Sequence, residues 1–379
     1  MNVTFRPSRS WPLAGAALIV LSALAGCASS TRPEPAKLPP NVAEINVRQA
    51  WVARTTAVNF PLEVRAMGTQ VVLAGSDGTV VTLDAATGQE IGRAKVGTEL
   101  VGGVGSDGRV TAVVTRDNEV VALTDGHEIW RRRLGTQSYT APLVAGGRVF
   151  VLGADRSLTG LDGQSGAVLW TVQRTTEPLV LRQAGVLMAV GNTLVAGLSG
   201  RMAGVDPNNG NIRWEAPVAA ARGTNDVERL VDLVGGVSRQ GDVVCTRAFQ
   251  AAVGCVDTQN GRVQWTRPAN GATGISGDGE RVFGTEADGR VMAWNANDGG
   301  RAWAMDDLQW RYLTGTAVLG RSVVFGDSTG LVHWRALTNG KALNRLSTDG
   351  SGIAATPVVV GNTLVVVTRK GAVYGFVPE

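Results

Sequence analysis

The sequence predicts an all-β fold, an eight-bladed β-propeller with four-stranded blades whose last blade is closed by the N-terminal strand. Three observations carry that reading: a unit recurring with a period near 40 residues, the turn chemistry inside each unit, and two chain ends that complete one another. The composition agrees. Glycine is frequent, at 50 of 379 residues, aromatic residues are only 5%, and short runs of Val, Leu and Ala recur. Such a chain suits many short strands joined by tight turns.

The repeat is clearest from Leu161-Asp162 through Gly166 to Trp170. It returns from Val205-Asp206 through Gly210 to Trp214, and from Val256-Asp257 through Gly261 to Trp265. Weaker copies end at Trp303 and Trp130, and degenerate ones run through Gly88 to Gly92 and through Gly340 to Asn344. Each reads as a strand, a turn ending in glycine, and a strand carrying Trp four residues later. The glycine serves a turn position at positive φ. With Trp51 included, the Trp-equivalent positions are spaced by 41, 38, 40, 44, 51, 38 and 41 residues. Upstream of each turn lies a second hairpin, such as the one around Asp77-Gly78, with further copies at Asp288-Gly289 and at Asp327 to Gly330.

Ring closure follows from the ends. The last unit, Thr363 to Val377, stops before any Trp strand, whereas Trp51 has no inner strands before it. Gln49–Arg54 therefore supplies the outer strand of the last blade, which removes two exposed sheet edges. Six of the ten tryptophans occupy the repeat position, where a large ring fills the widening wedge between blades. Gly92 and Asn344 cannot fill that wedge, so their blades must pack differently.

The N-terminal region reads as a targeting signal. Arg6 and Arg9 precede a mostly apolar stretch, Trp11 to Leu24, that is too short for a spanning helix. It ends in Leu24-Ala25-Gly26-Cys27, the pattern of a bacterial lipobox. The expected organisation is a signal peptide over 1–26, a lipidated tether over 27–46 beginning at Cys27, and the propeller over 47–379. The absence of Asp after Cys27 points to the periplasmic face of the outer membrane. The tether is rich in Ser and Pro, with little to bury.

Formal net charge is +4, and it moves toward balance once Arg6 and Arg9 are removed. Nucleic-acid binding has little support. The run Arg131-Arg132-Arg133 reads as a solvated strand edge. The two histidines, His127 and His333, begin no metal motif, and no nucleophile elbow or phosphate-cradling loop is present. The sequence therefore offers no catalytic residue, no metal site and no cofactor. Cys245 and Cys255 are equidistant from Gln250, the centre of a hairpin, and face one another on adjacent strands. An oxidising envelope favours a disulfide there, the alternative being two buried thiols.

The asymmetry lies in the two long periods, 44 and 51. Their extra residues follow Trp170 and Trp214, in adjacent connections between blades, and long loops on a rigid scaffold commonly carry function. One holds Leu179, Leu181 and Arg182; the other holds Asp226, Glu228 and Asp232. Apolar side chains beside an arginine and facing acids have an interface composition. The bland alternative is that the leucines extend an inner strand into the core.

Two families share these features. The Asp-x-x-x-Gly-x-x-x-Trp repeat resembles the tryptophan-docking motif of quinoprotein dehydrogenases, eight-bladed propellers that hold pyrroloquinoline quinone and calcium in a central channel, commonly with a vicinal disulfide. This chain has no Cys-Cys pair and is much shorter, so that resemblance carries the fold and not the activity. Nearly the whole chain resembles the BamB family, propeller lipoproteins of the outer-membrane β-barrel assembly machine. The likeness is clearest at Leu313-Thr314, from Gly326 to Trp334, and from Gly371 to Tyr374. It implies a protein-binding scaffold rather than an enzyme. The partner would be the POTRA domains of the barrel-inserting subunit, BamA, held by a Leu-x-Leu-Arg segment and an acidic loop. Leu179, Leu181 and Arg182 match the first. Asp232 matches one acid of the second, but Leu233 and Val234 follow where a second Asp is typical. A quinoprotein-like enzyme and a periplasmic propeller that binds a peptide or glycan are the competing classes.

Overall fold

The structure, a computed structural model, describes Met1, Thr4 and residues 33–379 apart from 174–178, 222–224 and 226–228. Apart from Met1 and Thr4, the expected signal peptide lies outside the described residues, as do Cys27, the first part of the expected tether, Asp226 and Glu228. The chain divides into two units, Met1–Pro35 and Ala36–Glu379, and every described strand belongs to the second.

Among the described residues there are thirty-two strands, β1 to β32 in chain order, in eight antiparallel four-stranded sheets. Blade 1 is β2 (Arg65–Met67), β3 (Gln70–Ala74), β4 (Thr79–Asp84) and β5 (Glu90–Lys95). Blades 2 to 7 follow over residues 100–133, 143–172, 187–217, 233–268, 276–305 and 317–347. Blade 8 joins the two ends: β30 (Val358–Val360), β31 (Thr363–Val367) and β32 (Ala372–Pro378) are completed by β1 (Val47–Arg54), which pairs with β32 with Trp51 opposite Gly375.

Burial explains the strand sequences. Inner strands have both faces covered by neighbouring blades, so they read as unbroken apolar runs; Val71-Val72-Leu73-Ala74 of β3 is buried throughout. Outer strands face solvent and bury little. In β9 (His127–Arg133) and β13 (Val168–Val172) the one buried residue is the tryptophan, Trp130 or Trp170.

That tryptophan docks onto the next blade. The indole N–H donates to a carbonyl of the neighbouring turn: Trp51 to Ala85, Trp130 to Gly163, Trp170 to Pro207, Trp265 to Ala296 and Trp303 to Leu337, at 2.7–3.1 Å. The repeat glycine of that turn lies flat against the ring. A Cβ on Gly88, Gly166, Gly210, Gly261, Gly299 or Gly340 would come within 2.4–2.8 Å of the facing tryptophan. The glycine thus meets two demands, a positive φ and a close approach. On the tryptophan's own blade a small residue stands opposite: Gly375, Ala122, Gly160, Gly204, Cys255 and Ala293 face Trp51, Trp130, Trp170, Trp214, Trp265 and Trp303.

Blade 7 solves the Asn344 problem by exchange. Asn344 pairs with Trp334 on the neighbouring strand, and the Trp334 ring makes a T-shaped contact with Phe376 of blade 8 at 5.6 Å. Asn344 Nδ2 donates to the Ile45 carbonyl, where a turn carbonyl of the next blade would otherwise lie.

Residues 36–46, read from the sequence as free tether, depart from that reading. They lie along the outside of the ring. Ala36 N–H donates to Gln309 O, Arg311 to Ala36 O, Arg345 to Pro39 O, and Glu44 N–H to Leu343 O. Asn41 bonds Asn344, while Leu38 and Ile45 pack on the apolar clusters of blades 6 to 8. Proline keeps this segment extended, and extension is what a strap along a sheet edge requires.

Cys245 and Cys255 are direct register partners, and the structure joins them in a disulfide. The bridge lies in one apolar cluster with Trp265 and Trp294.

Candidate partner-binding site

The candidate site is the pair of long connections, between β13 and β14 (Leu187–Val190) and between β17 (Ile212–Pro217) and β18 (Leu233–Gln240). In its described part the first loop is fixed by hydrogen bonds rather than by burial. Leu179 O accepts from Arg156 Nη2 at 2.8 Å, and Leu181 N–H donates to Asp232 Oδ2 at 3.0 Å. Farther on, Gln183 Nε2 donates to Ala272 O, Gly185 N–H to Thr140 Oγ1, and Gly235 N–H to Ala184 O. Contacts from blades 3, 5 and 6 thus hold the segment in one conformation.

These anchors decide which side chains are offered outward. Leu179 is 40% exposed. Arg182 is exposed, with its guanidinium 5.8 Å from the centre of the Tyr139 ring, a stacking that orders the cation without neutralising it. Leu181 is half-buried and lines a cavity of about 50 Å³ with Tyr139, Leu152 and Leu233.

Asp232 has a different place from the one its match to the acidic loop implied. Its Oδ1 accepts from Arg156 Nε and Nη2 at 3.3 and 3.0 Å, and its Oδ2 accepts the Leu181 N–H. The Arg156 side chain is only 5% exposed and the Asp232 side chain 17%. A carboxylate engaged in this way beneath a loop holds that loop; it has little left to offer a partner. Asp226 and Glu228, the other acids of that connection, lie outside the described residues.

Sequence reading missed Arg156 and Tyr139. Arg156 did carry a signal. It occupies the hairpin position that is glycine in Asp77-Gly78 and Asp288-Gly289, and it adopts a positive φ of 60°. An arginine held in that conformation is retained against local strain, which points to a bond made by its side chain.

Buried charge elsewhere is internal. Arg247, fully buried, donates from Nη1 to Glu286 at 2.9 Å. Asp327 collects Arg311 at 2.7 Å, His333 at 3.0 Å and the Leu331 N–H at 3.0 Å. These donors hold the Asp327 carboxyl well below the usual range against its burial, while burial lowers His333. Both histidine and aspartate belong to blade 7, and their bonds knit its strands together.

The central channel, about 700 Å³, is walled by apolar residues and glycines together with polar groups that include Glu63, Glu286, Arg369 and Gln250. Glu63 reaches across it toward blade 5, where a Cβ on Gly235 would lie 3.3 Å from Glu63 Oε1. Burial pushes its carboxyl up to about 7. A calcium–quinone centre calls for a cluster of anionic donors, and among the described residues no three of His, Cys, Asp and Glu are grouped to hold a metal ion.

Comparison with known proteins identifies the family. The family profile described as outer membrane protein assembly factor BamB matches residues 76–305. The BamB of Burkholderia pseudomallei is 35% identical over 372 residues, covering 97% of this chain and 98% of its own. That of Bordetella pertussis is 32% identical over 378 residues, with 97% of each chain covered. Among solved structures, BamB from Moraxella catarrhalis superposes with a TM-score of 0.80 at 23% identity, over 88% of this chain and all of that one. The quinohemoprotein alcohol dehydrogenase of Comamonas testosteroni gives 0.66 at 15% identity, over 90% and 78%, a likeness of fold alone. On the profile match and on relatives above 30% identity across nearly their full length, the chain belongs to the family of the outer membrane protein assembly factor BamB.

Proposed function

We propose that the chain is a non-catalytic scaffold lipoprotein of the outer-membrane β-barrel assembly complex, anchored through Cys27 on the periplasmic face. It binds the POTRA domains of a BamA-like barrel-inserting protein and assists assembly and insertion of β-barrel proteins. The role in outer membrane protein assembly rests on the family. The partner contact rests on one observation: Leu179, Leu181 and Arg182 sit on a loop pinned from beneath by Asp232 and Arg156, with Leu179 and Arg182 turned outward. Apolar area beside an ordered guanidinium suits an anchor that pairs with a partner carboxylate. Asp232 acts in this reading through the loop.

Capture of purified POTRA domains by the immobilised propeller tests it. Arg182→Ala weakens capture by about 1–4 kcal/mol and Arg182→Glu abolishes it, with melting unchanged. Leu179→Ala behaves like the arginine variant; Leu181→Ala, half-buried, lowers both capture and melting temperature. Full capture by folded Arg182→Glu would place the interface elsewhere. The anchor is tested separately: Cys27→Ala releases the protein from envelopes, and unaltered retention with no lost acyl mass argues against it.

A further inference from the structure

Seven of the eight blade junctions hold an indole ring. Trp51, Trp130, Trp170, Trp214, Trp265 and Trp303 meet the turn glycine of the next blade, and Trp334 meets Phe376 at the junction of blades 7 and 8. The junction of blades 1 and 2 has none. Gly92 takes the tryptophan position, and the facing turn of blade 2 is cut to two residues, Asp125-Gly126, where the other turns between third and fourth strands have four to six. Both halves of the docking pair have receded. What remains is a cavity of about 510 Å³ with no aromatic residue in its wall. Leu123 and Val72 are buried in its lining, Thr82 stands opposite Gly92, and Ile91 is 52% exposed.

The molecule shows how an outer strand without tryptophan is paired from outside the blade. Blade 7 also lacks tryptophan on its outer strand, and there the extended segment 36–46 runs along β29 (Ala342–Ser347). The N–H groups of Glu44 and Ile45 donate to the carbonyl of Leu343, the residue before Asn344. Leu343 lies at the register shift of its strand pair, and Ile91, the residue before Gly92, lies at the same shift in blade 1. Strand β5 is the outermost of its sheet, so its outer edge is free to accept another chain.

We propose that the cleft between blades 1 and 2 is a second polypeptide-binding site, separate from the Leu179–Arg182 loop. It takes an extended segment of another protein that pairs with the edge of β5 at Ile91 and seats an aromatic side chain, tryptophan foremost, in the place left by Gly92. The occupant is defined by the chain's own repeat: an indole fills every other junction. The polar wall supplied by Thr82, Thr111, Arg109 and Asp125 suits the peptide backbone that carries the ring.

The test uses the mature full-length chain and a blocked pentapeptide, Ala-Ala-Trp-Ala-Ala, labelled with 5-fluorotryptophan and followed by fluorine NMR. Saturable binding is expected, at least tenfold tighter than that of N-acetyl-5-fluorotryptophanamide and of a pentapeptide with leucine at the centre. The double variant Gly92→Trp, Thr82→Gly supplies its own ring and the small residue opposite it. It loses binding tenfold or more and melts several degrees higher. Ile91→Arg, at an exposed position, leaves melting unchanged and weakens binding at least fivefold, which keeps the test open should the double variant not fold. Equal binding of the leucine peptide, or binding unchanged in both variants, overturns the proposal. Equal binding of the free amide also overturns it, because the cleft would then take a small indole rather than a polypeptide.

Discussion

Arg156 and Asp232 form a buried ion pair at 3.0 Å that joins a hairpin of blade 3 to the connection entering blade 5, with the Leu179–Arg182 loop hydrogen-bonded to both residues. Breaking it from either side leaves the other charge uncompensated. Asp232→Ala is expected to destabilise the propeller by about 3–5 kcal/mol, and Asp232→Asn by less, since an amide still accepts from Arg156. Denaturant unfolding measures the loss. Partner capture falls in both variants although neither side chain touches the partner. An Asp232→Asn protein that loses capture but keeps the wild-type loop conformation would show instead that the carboxylate itself is recognised.

How much of this was legible depends on distance along the chain. The turn glycines and tryptophans recur locally, so eight blades and their closure could be read from spacing alone. The loop carrying Leu179, Leu181 and Arg182 stood out by length. The role of Asp232 did not, because Arg156 lies 76 residues away and reveals itself only by replacing a glycine. Trp334 takes over for Asn344 across a strand pair, an exchange that requires the register. The strap over 36–46 was hidden for a similar reason. Its composition is that of a linker, and Asn41 meets Asn344 across 303 residues.

The disulfide between Cys245 and Cys255 closes a loop of ten residues. Its loss is expected to cost at most about 3 kcal/mol, the value associated with a fifteen-residue loop. Mass spectrometry of the non-reduced mature protein should show two hydrogens missing. Free thiols at both positions in protein prepared under oxidising conditions would contradict the bridge. Cys255→Ala keeps a small residue beneath Trp265 and should preserve the blade junction while removing the bond.

Stability should depend on pH through Glu63. Its carboxyl is pushed up to about 7 by burial, partly offset by Arg65, from an ordinary value of 4.5. Between those limits the folded protein holds a proton that the unfolded chain has released. Stability therefore falls as pH rises from about 4.5 to about 7, and the cost is constant above that. Glu63→Gln removes it. The variant should match the wild type at pH 4.5 and exceed it by about 3 kcal/mol at pH 8, in melting or denaturant experiments. Asp327 and His333, both lowered, work in the opposite sense. Their contribution is lost as pH falls below their unfolded values, and it is common to both proteins, so the difference between the two curves isolates Glu63. A parallel pair of curves would show that Glu63 is ionised in the channel throughout.

Closure of the ring depends on one strand. Strand β1 pairs with β32 over seven register positions, and Trp51 docks onto Gly88 and the Ala85 carbonyl of blade 1. Deleting residues 47–56 removes the outer strand of blade 8 and one inter-blade tryptophan together. It exposes the edge of β32, which is then free to pair with another molecule. Aggregation and a large loss of melting temperature are expected. Deleting 36–44 alone is a milder change. It removes the Asn41, Pro39 and Glu44 contacts and uncovers the apolar surface under Leu38, yet leaves β1 in place. The protein should fold as a monomer with stability reduced by about 1–3 kcal/mol, the range for burying one large apolar side chain. Wild-type melting after removal of 36–44 would mean that the strap adds nothing to the fold. Wild-type melting and solubility after removal of 47–56 would refute a blade shared between the two ends of the chain.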